Sequence, residues 1–372
     1  MKIRQIYIDQ SAADDPVAGE VTARLNAPVL YVEDPAEVYK TIARNRDPES
    51  AGKSVLLLTR NKGPFIRECP GTSHYTCCGY KILHVGAYCS MDCAYCILQA
   101  YYHPPVLQFF TNHEQMEKEL GEFFKHGKTG RIGTGEFTDS LIWEQVHPLA
   151  ERLVDMFSRQ DTSVLELKTK TALVEKLPGT GHGRKTILAW SLNTERVIRN
   201  EERGTASLSA RIAAAEKCQA KGYPLAFHFD PMIMYPGCMD DYSRVADMLF
   251  ERIDPENIVW ISLGSFRFMP ELKDVIIRRF PDSKIVFSEF IKAMDGKMRY
   301  FKPLRIELYR SLIKRLREKA PYISLYFCME DDEVWEKTLG FTPDFFGGLA
   351  RMLDKSAEKI CGLSRNPNNV DF

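Results

Sequence analysis

The sequence lacks the features that would assign it to a membrane, to secretion or to a repeat fold. No run of about 18 apolar residues is present, and the charged start MKIRQIYIDQ has no apolar stretch of a signal peptide. The net charge is zero, because 50 Lys and Arg residues balance 50 Asp and Glu residues, so total charge gives no indication of a nucleic-acid partner. No repeat of fixed period is visible. We therefore expect a cytoplasmic monomer that does not contact a membrane.

Ten cysteines in 372 residues are too dilute for a disulfide scaffold, and three of them are clustered. Cys89, Cys93 and Cys96 are separated by three and then by two residues. A structural zinc site normally has four ligands, so three cysteines fit such a site poorly. A four-iron cluster held by three cysteines keeps one iron open for a small molecule that binds through an amine and a carboxylate. The spacing therefore predicts a [4Fe–4S] cluster.

Strand-like and helix-like segments alternate between about residues 80 and 280. This alternation predicts parallel βαβ units in an α/β fold, and six units instead of eight predict a partial (β/α)6 barrel that is open on one side. We expect a small N-terminal α/β extension over 1–79, the barrel over 80–280 and a C-terminal region over 281–372. The predicted barrel strands cover 80–85, 130–135, 163–169, 185–192, 224–230 and 257–264.

Positive charge is concentrated in the C-terminal region. From Lys297 to Lys319 there are nine Lys and Arg residues against two Glu, with Tyr and Phe between them. Clustered cations with interleaved aromatic residues favour a nucleic-acid contact. The alternative is a solvated amphipathic helix.

The cysteine loop follows the first predicted barrel strand, at the end where barrel enzymes place their chemistry. This loop, with Tyr95 just before the last cysteine, resembles the radical S-adenosylmethionine superfamily. The resemblance implies that a [4Fe–4S] cluster and S-adenosyl-L-methionine together generate a 5′-deoxyadenosyl radical. Tyr95 is then a candidate for cofactor binding and catalysis. The second strand ends in GTGE, similar to the superfamily's Gly-Gly-Glu stretch, which makes Gly135 and Glu136 candidates to hold the methionine amino group.

Three longer segments resemble the spore photoproduct lyase family of DNA repair enzymes: CAYCILQAYY, LELKTKTALVEKL and WSLNTERVIRNEERGTASLSARIAAAEKCQAKGY. The resemblance implies that Lys170, Ser191 and Asn193 contact the methionine carboxylate or the ribose. The alternative for each is a structural polar group at a strand end.

The later RYFK segment is similar to the DNA-facing hairpin of that family and to the helix after it. This similarity implies that a group of four residues contacts the lesion or phosphates. The four candidates are Arg299, Tyr300, Lys302 and Arg305.

Further polar residues follow the fifth and sixth predicted strands. His228 and Asp230 lie two residues apart, hence on one strand face, and could bind the cofactor ribose or a substrate base. Arg267 could contact a phosphate. The segment CPGTSHYTCC holds Cys69, Cys77 and Cys78, for which a small zinc site, a second cluster and a packed loop near the first cluster all remain open.

Two departures from the family affect the reaction. Ile97 replaces the tyrosine that follows the last cluster cysteine, and Glu136 stands where the family has a hydrogen-donating cysteine. A carboxyl O–H bond is too strong to give up a hydrogen atom to a carbon radical. We therefore expect another thiol as the donor, first Cys238 and second Cys328, unless the hydrogen returns from the cofactor.

The resemblance implies a DNA repair lyase that abstracts hydrogen from a base lesion and cleaves a carbon–carbon bond. Its expected partners are damaged DNA and an electron donor such as flavodoxin or ferredoxin. One alternative keeps the cofactors but acts on RNA, a peptide or a small molecule. The other is a non-enzymatic nucleic-acid-binding protein with a structural cluster.

Overall fold

The computed structural model describes residues 1–71, 74–127 and 129–364. Its strands, in chain order, are β1 Gln5–Asp9, β2 Val29–Val32, β3 Val55–Thr59, β4 Ile66–Glu68, β5 Lys81–Leu83, β6 Gly86–Ala87, β7 Leu107–Phe110, β8 Gly130–Gly133, β9 Ser163–Thr169, β10 Thr186–Ser191, β11 Leu225–Met232, β12 Ile258–Ser265, β13 Arg267–Phe268, β14 Phe290–Lys292, β15 Met298–Tyr300 and β16 Leu325–Phe327.

The α-helices of the same residues alternate with these strands through the middle of the chain. They are α1 Pro16–Arg24, α2 Pro35–Ala43, α3 Pro48–Lys53, α4 Leu98–Tyr101, α5 His113–Lys125, α6 Leu149–Ser158, α7 Glu195–Glu201, α8 Leu208–Ala220, α9 Cys238–Phe250, α10 Pro270–Arg279, α11 Lys302–Lys319, α12 Asp332–Leu339 and α13 Leu349–Cys361. None of these described helices is long and apolar enough to cross a lipid bilayer.

The six predicted barrel strands all form, and they are neighbours in one eight-stranded sheet. The sheet order is β16-β12-β11-β10-β9-β8-β5-β4, and the strands from β5 to β12 in this order pair in parallel. The sequence analysis did not predict the two edge strands: β16 is parallel to β12, and β4 is antiparallel to β5. Both are three residues long, too short to leave a clear periodic pattern.

The central strands are mostly apolar because both of their faces are covered. Every residue of β10 and β12 is buried. Helix α6 packs on β9 and β10, and α8 packs on β10 and β11. A parallel sheet with helices outside and side chains filling the inside produces such continuous apolar runs. The polar side chains at the strand ends are therefore the exceptions that need a chemical explanation.

The N-terminal extension forms a second sheet with the order β2-β1-β3-β7-β6. Strands β6 and β7 belong to the chain region predicted as barrel, whereas β4, from the predicted extension, pairs with barrel strand β5. Strands thus cross the predicted boundary at residue 79 in both directions. The division of the chain into three regions remains a prediction.

The C-terminal region begins with a three-stranded antiparallel sheet of order β13-β15-β14. Of the segment 284–290 before this sheet, only Phe290 is in a strand. Ile285 and Val286 are buried, but they lie in an irregular segment before β14. Helix α11 confirms the helix considered for the basic element, and its buried face includes Leu308, Tyr309 and Leu312.

Candidate active site

A cavity of about 770 Å³ opens where the barrel strands end. It is lined by Cys89, Cys93 and Cys96 together with many of the polar residues that the sequence analysis selected. The predicted candidates in its wall are Tyr95, Gly135, Glu136, Lys170, Ser191, Asp230 and Arg267. Residues spread over almost 180 positions of the chain thus meet at one place, although their individual roles remain predictions.

The cysteine loop is held in place by contacts to its backbone. The Lys53 ammonium at the end of α3 donates to the Cys89 carbonyl at 3.0 Å. The Gln99 amide donates to the carbonyls of Cys93 and Ala94, both at 3.1 Å. The backbone N–H of Ala94 also donates to the Glu201 carbonyl at 2.7 Å, which ties the loop to α7. The positions of the three cysteines are therefore set by the protein itself.

The three cysteines suit an iron–sulfur cluster better than a single metal ion. Among the described residues, no group of three His, Cys, Asp or Glu side chains is arranged to hold one ion. Each cysteine of a cluster binds a different iron atom, so its sulfur atoms need not converge on a point. Burial raises the pKa of the Cys89 thiol to about 12, so a bound cationic cluster would have to displace its proton. Buried thiols along an open cavity fit this group.

Glu136 lies in the cavity wall with a partner that the sequence analysis missed. Its carboxylate forms an ion pair with the Lys168 ammonium, which lines the same cavity. Burial disfavours the Lys168 charge, but Glu136 and Glu166 outweigh it and raise the pKa of Lys168. Gly135 is required beside this pair, because a Cβ there would lie 2.7 Å from the Lys168 Cβ. Alternation along β9 could have indicated Lys168, which points to the same side as Glu166 and Lys170.

Lys170 and Tyr95 lie together on another part of the wall. The Lys170 ammonium is 5.7 Å from the centre of the Tyr95 ring. The Tyr95 hydroxyl donates to Glu202, and Glu202 forms a fully buried ion pair with Arg211. Burial and the Glu202 charge raise the pKa of Tyr95 well above its usual value. The hydroxyl of Tyr95 is thus engaged behind the wall, and its ring faces the cavity.

Ser191 lines the cavity, but Asn193 does not, and its role as a cofactor contact stays a prediction. The Asn193 amide donates to the Pro231 carbonyl at 2.8 Å and accepts from the Tyr242 hydroxyl at 2.8 Å. The side chain is 1% exposed. Asn193 therefore joins strand ends to each other, as the structural alternative predicted.

Asp230 lines the cavity, whereas His228, two residues earlier, is held inside the barrel. Asp230 accepts two hydrogen bonds of 3.1 Å from Arg267. The guanidinium charge that was predicted to contact a phosphate is therefore paired with a carboxylate. His228 is within hydrogen-bonding distance of Ser262 at 2.6 Å and of Glu166 at 2.8 Å. Burial by itself would raise the pKa of Glu166, but the charge and hydrogen bond of His228 have a larger effect. Together they lower the pKa of Glu166 to about 2. His228 is therefore a core residue in this structure, and its contact with the cofactor stays a prediction.

The four residues predicted to contact the lesion or phosphates are engaged within the protein. Arg305 is buried in a two-point ion pair with Glu330, at 3.0 and 2.9 Å. Arg299 is 2% exposed and pairs with Asp295, and Tyr300 is 1% exposed. Lys302 contacts Asp331 at 2.8 Å. The contacts of Arg299, Tyr300 and Arg305 with nucleic acid would require groups that this structure buries, and they stay predictions.

The two cysteines predicted as hydrogen donors lie outside the cavity. Cys238 is 4% exposed at the start of α9 and does not line the cavity. Cys328 lines a separate cavity of about 30 Å³, together with Cys77 and Cys78. Cys69 lines both cavities, which agrees with the alternative of a packed loop near the first cluster. The smaller space is about the volume of one water molecule and is too small for a second cluster.

A barrel of six consecutive parallel strands with three cysteines on the loop after the first strand defines a radical S-adenosylmethionine protein. The family model for spore photoproduct lyase matches residues 73–317. The chain therefore belongs to the spore photoproduct lyase family. Membership confirms the predicted fold class and the predicted type of enzyme, a radical S-adenosylmethionine lyase of DNA repair with a [4Fe–4S] cluster. It overturns the alternative of a non-enzymatic binding protein.

Similar proteins span most of the chain. The spore photoproduct lyase of Bacillus subtilis is 28% identical over 298 residues, which cover 76% of this chain and 84% of that protein. The spore photoproduct lyase of Clostridium acetobutylicum is 22% identical over 305 residues, covering 80% and 87%. A solved structure of a spore photoproduct lyase mutant with dinucleoside spore photoproduct has a TM-score of 0.77 at 20% identity, covering 87% of this chain and 98% of that one.

Proposed function

We propose that this protein repairs a pyrimidine photoproduct in DNA by cleaving the carbon–carbon bond that joins two bases. The observation that carries the proposal is the single cavity, in which the three cluster cysteines, an ion-paired wall and an aromatic rim face the same space. Solved relatives bind a dinucleoside spore photoproduct. A lesion of that chemical class is the substrate that we propose for this chain.

The cluster, when bound with S-adenosylmethionine, supplies a 5′-deoxyadenosyl radical. The chain would hold the cluster through Cys89, Cys93 and Cys96. Glu136 would accept a hydrogen bond from a cofactor ammonium group, and Lys170 would attract a carboxylate. The apolar side chains of Met91, Leu98 and Phe266 also line the cavity and would exclude water from a reactive carbon radical.

The rim of the cavity offers a surface for a flat base. Tyr101 is 55% exposed and its ring is stacked on that of Phe137, with 5.9 Å between centres and 21° between planes. Both rings line the cavity. Exposed aromatic rings stack with unpaired bases regardless of sequence. The pair therefore supports a substrate with nucleobases that leave the duplex.

The test is incubation of the reconstituted, reduced enzyme with dinucleoside spore photoproduct and, separately, with ultraviolet-damaged spore-type DNA and ordinary irradiated DNA. We expect loss of the photoproduct and appearance of the undamaged pyrimidines, measured by mass spectrometry. Formation of 5′-deoxyadenosine with every photoproduct left intact would exclude this substrate class. That outcome would favour the alternative of RNA, a peptide or a small molecule.

We further propose that a small electron carrier such as flavodoxin or ferredoxin reduces the cluster, and that the protein acts as a monomer. The exposed aromatic side chains at the rim are free to receive DNA in a single chain. Analytical ultracentrifugation of the reconstituted protein, alone and with the carrier, tests both proposals.

A further inference from the structure

Cleavage of a carbon–carbon bond by a radical leaves a carbon radical on the substrate, which must receive a hydrogen atom. The inference below rests on the proposed function. Among protein side chains a thiol has a weak bond to hydrogen, whereas carboxyl and aliphatic hydroxyl groups do not. A donor must also face the cavity in which the substrate binds. The cysteines of the cavity wall meet both conditions, and so do its tyrosines, whose phenolic O–H bond is also weak.

Cys69 is the fourth cysteine in the wall of the large cavity, beside the three that would hold the cluster. No other cysteine of the described residues lines this space. The thiol lies close enough to Glu136 and Lys168 to interact with their charges. The tyrosines of the wall are less suitable, because the hydroxyl of Tyr95, in the cysteine loop, is bound to Glu202, and Tyr101 is 55% exposed at the rim.

The backbone of Cys69 is fixed by the barrel sheet. Cys69 follows β4 directly, and its N–H donates to the Tyr80 carbonyl at 3.1 Å, which continues the ladder between β4 and β5. Its carbonyl accepts from the Gly71 N–H at 2.7 Å. Cys69 therefore reaches the cavity from the end of β4, an edge strand that was not among the predicted barrel strands.

A hydrogen-atom donor must keep its proton at neutral pH. Burial, with the nearby Glu136 charge, raises the pKa of Cys69 to about 12. Cys77, on the neighbouring turn, behaves in the opposite way: its hydrogen bond with Cys78 lowers the pKa of Cys77 to about 5. The two cysteines are thus a protonated thiol in the cavity and an exposed thiolate outside it.

We propose that Cys69 donates the hydrogen atom that completes the repair. Its S–H bond breaks, a C–H bond forms on the substrate radical, and the unpaired electron remains on the sulfur. The sulfur then regains a hydrogen atom from the methyl group of 5′-deoxyadenosine, so the S–H bond re-forms, one C–H bond of that methyl group breaks and the unpaired electron returns to its carbon. The sequence of steps consumes neither an oxidant nor a reductant, and atoms and electrons balance.

The test is repair of dinucleoside spore photoproduct in deuterated water by the parent enzyme and by C69S, C69A and C238A. Because a thiol proton exchanges with solvent, the parent and C238A should place deuterium on the product carbon. In C69S, which preserves the size of the side chain, we expect deuterated product to fall by about tenfold or more, with cluster absorbance and 5′-deoxyadenosine formation retained. Product deuterium unchanged in C69S, or absent from the parent, overturns the proposal.

A second measurement is independent of the substrate. Iodoacetamide reacts with thiolates, so the cluster-loaded protein is labelled at about pH 9, where the small thiolate fraction of Cys69 gives a slow but measurable rate. Labelling should modify the exposed Cys77 with or without S-adenosylhomocysteine, whereas the analogue should slow labelling of Cys69 by about tenfold. Protection places Cys69 beside the reacting atoms even if the parent repairs no spore photoproduct, in which case only the proposed function fails. Equal labelling of Cys69 with and without the analogue overturns the placement.

Discussion

The cavity wall and the basic element 297–319 contain the same kinds of residues, yet the structure uses them differently. In the wall, thiols, an ammonium group and aromatic rings face open space. In the basic element the cations face acids: Arg299 pairs with Asp295, as does Lys297, which also lines the cavity, and Arg315 and Lys319 contact Asp247. A cluster of like charges in the sequence therefore does not show that the surface of the folded protein is positively charged at that place.

The acids that neutralise the basic element come from other parts of the chain. Asp247 lies on α9, and Glu330, Asp331 and Glu333 lie around the start of α12. Arg305 and Glu330 are both buried, and the Tyr309 hydroxyl donates to Glu330 at 2.8 Å. These contacts hold α11 against its neighbours. The cavity wall is thus expected to carry out the reaction, and the basic element is expected to stabilise the fold. Four experiments test this difference.

The largest effect is expected from C93A. Loss of one cluster ligand should remove the brown chromophore and all formation of 5′-deoxyadenosine, measured by iron content, absorbance and chromatography. C238A, at a buried cysteine outside the cavity, is the matched control and should keep both. A full complement of cluster iron in C93A would contradict the assignment of Cys93 as a cluster ligand in the cavity wall.

R305A should destabilise the protein by about 3–5 kcal/mol, because it leaves the Glu330 carboxylate buried without its partner. Urea unfolding gives the free energy of unfolding. K314A, at an exposed position of the same helix, should change it by less than about 0.5 kcal/mol. If R305A is as stable as the parent but binds DNA more weakly, Arg305 contacts nucleic acid instead of stabilising the fold.

Y101A should weaken binding of a dinucleoside lesion by about 1–3 kcal/mol, since one exposed stacking ring is lost from the rim. Fluorescence titration measures the affinity. Y322A removes a tyrosine that is 95% exposed and outside the cavity, so its affinity should match the parent. Equal losses in the two variants would mean that the rim does not hold a base.

The smallest effect is expected from K302Q. A lysine that neutralises a phosphate contributes about 1 to the slope of log affinity against log salt concentration, but Lys302 already contacts Asp331 and Glu333. The slope should therefore stay unchanged when DNA binding is titrated over a range of salt. K292Q, at an exposed position of the hairpin strand β14, is the comparison. A slope reduced by about 1 in K302Q alone would restore the predicted role of the basic element.

The sequence by itself determined the barrel and the cluster loop. Helix and strand periods are local, and the six strands formed where apolar runs predicted them, in the expected parallel order. The spacing of Cys89, Cys93 and Cys96 is equally local, because one short loop contains all three. Residues at strand ends, such as Glu136, Ser191 and Asp230, could be placed in the cavity because parallel strands end on the same side.

Only the tertiary structure decided which polar groups are free and which are already bound. His228 and Asp230 share a strand face, but Glu166 and Ser262 engage the first inside the barrel. Arg305 carries the same charge as an open phosphate contact, and Glu330, 25 residues away, binds it. Cys69 enters the cavity through a three-residue edge strand that no periodic pattern indicates. The pairing of these charges and the position of the Cys69 thiol both depend on contacts between segments that are distant in the chain. Such contacts form only on folding, so the local sequence does not reveal them.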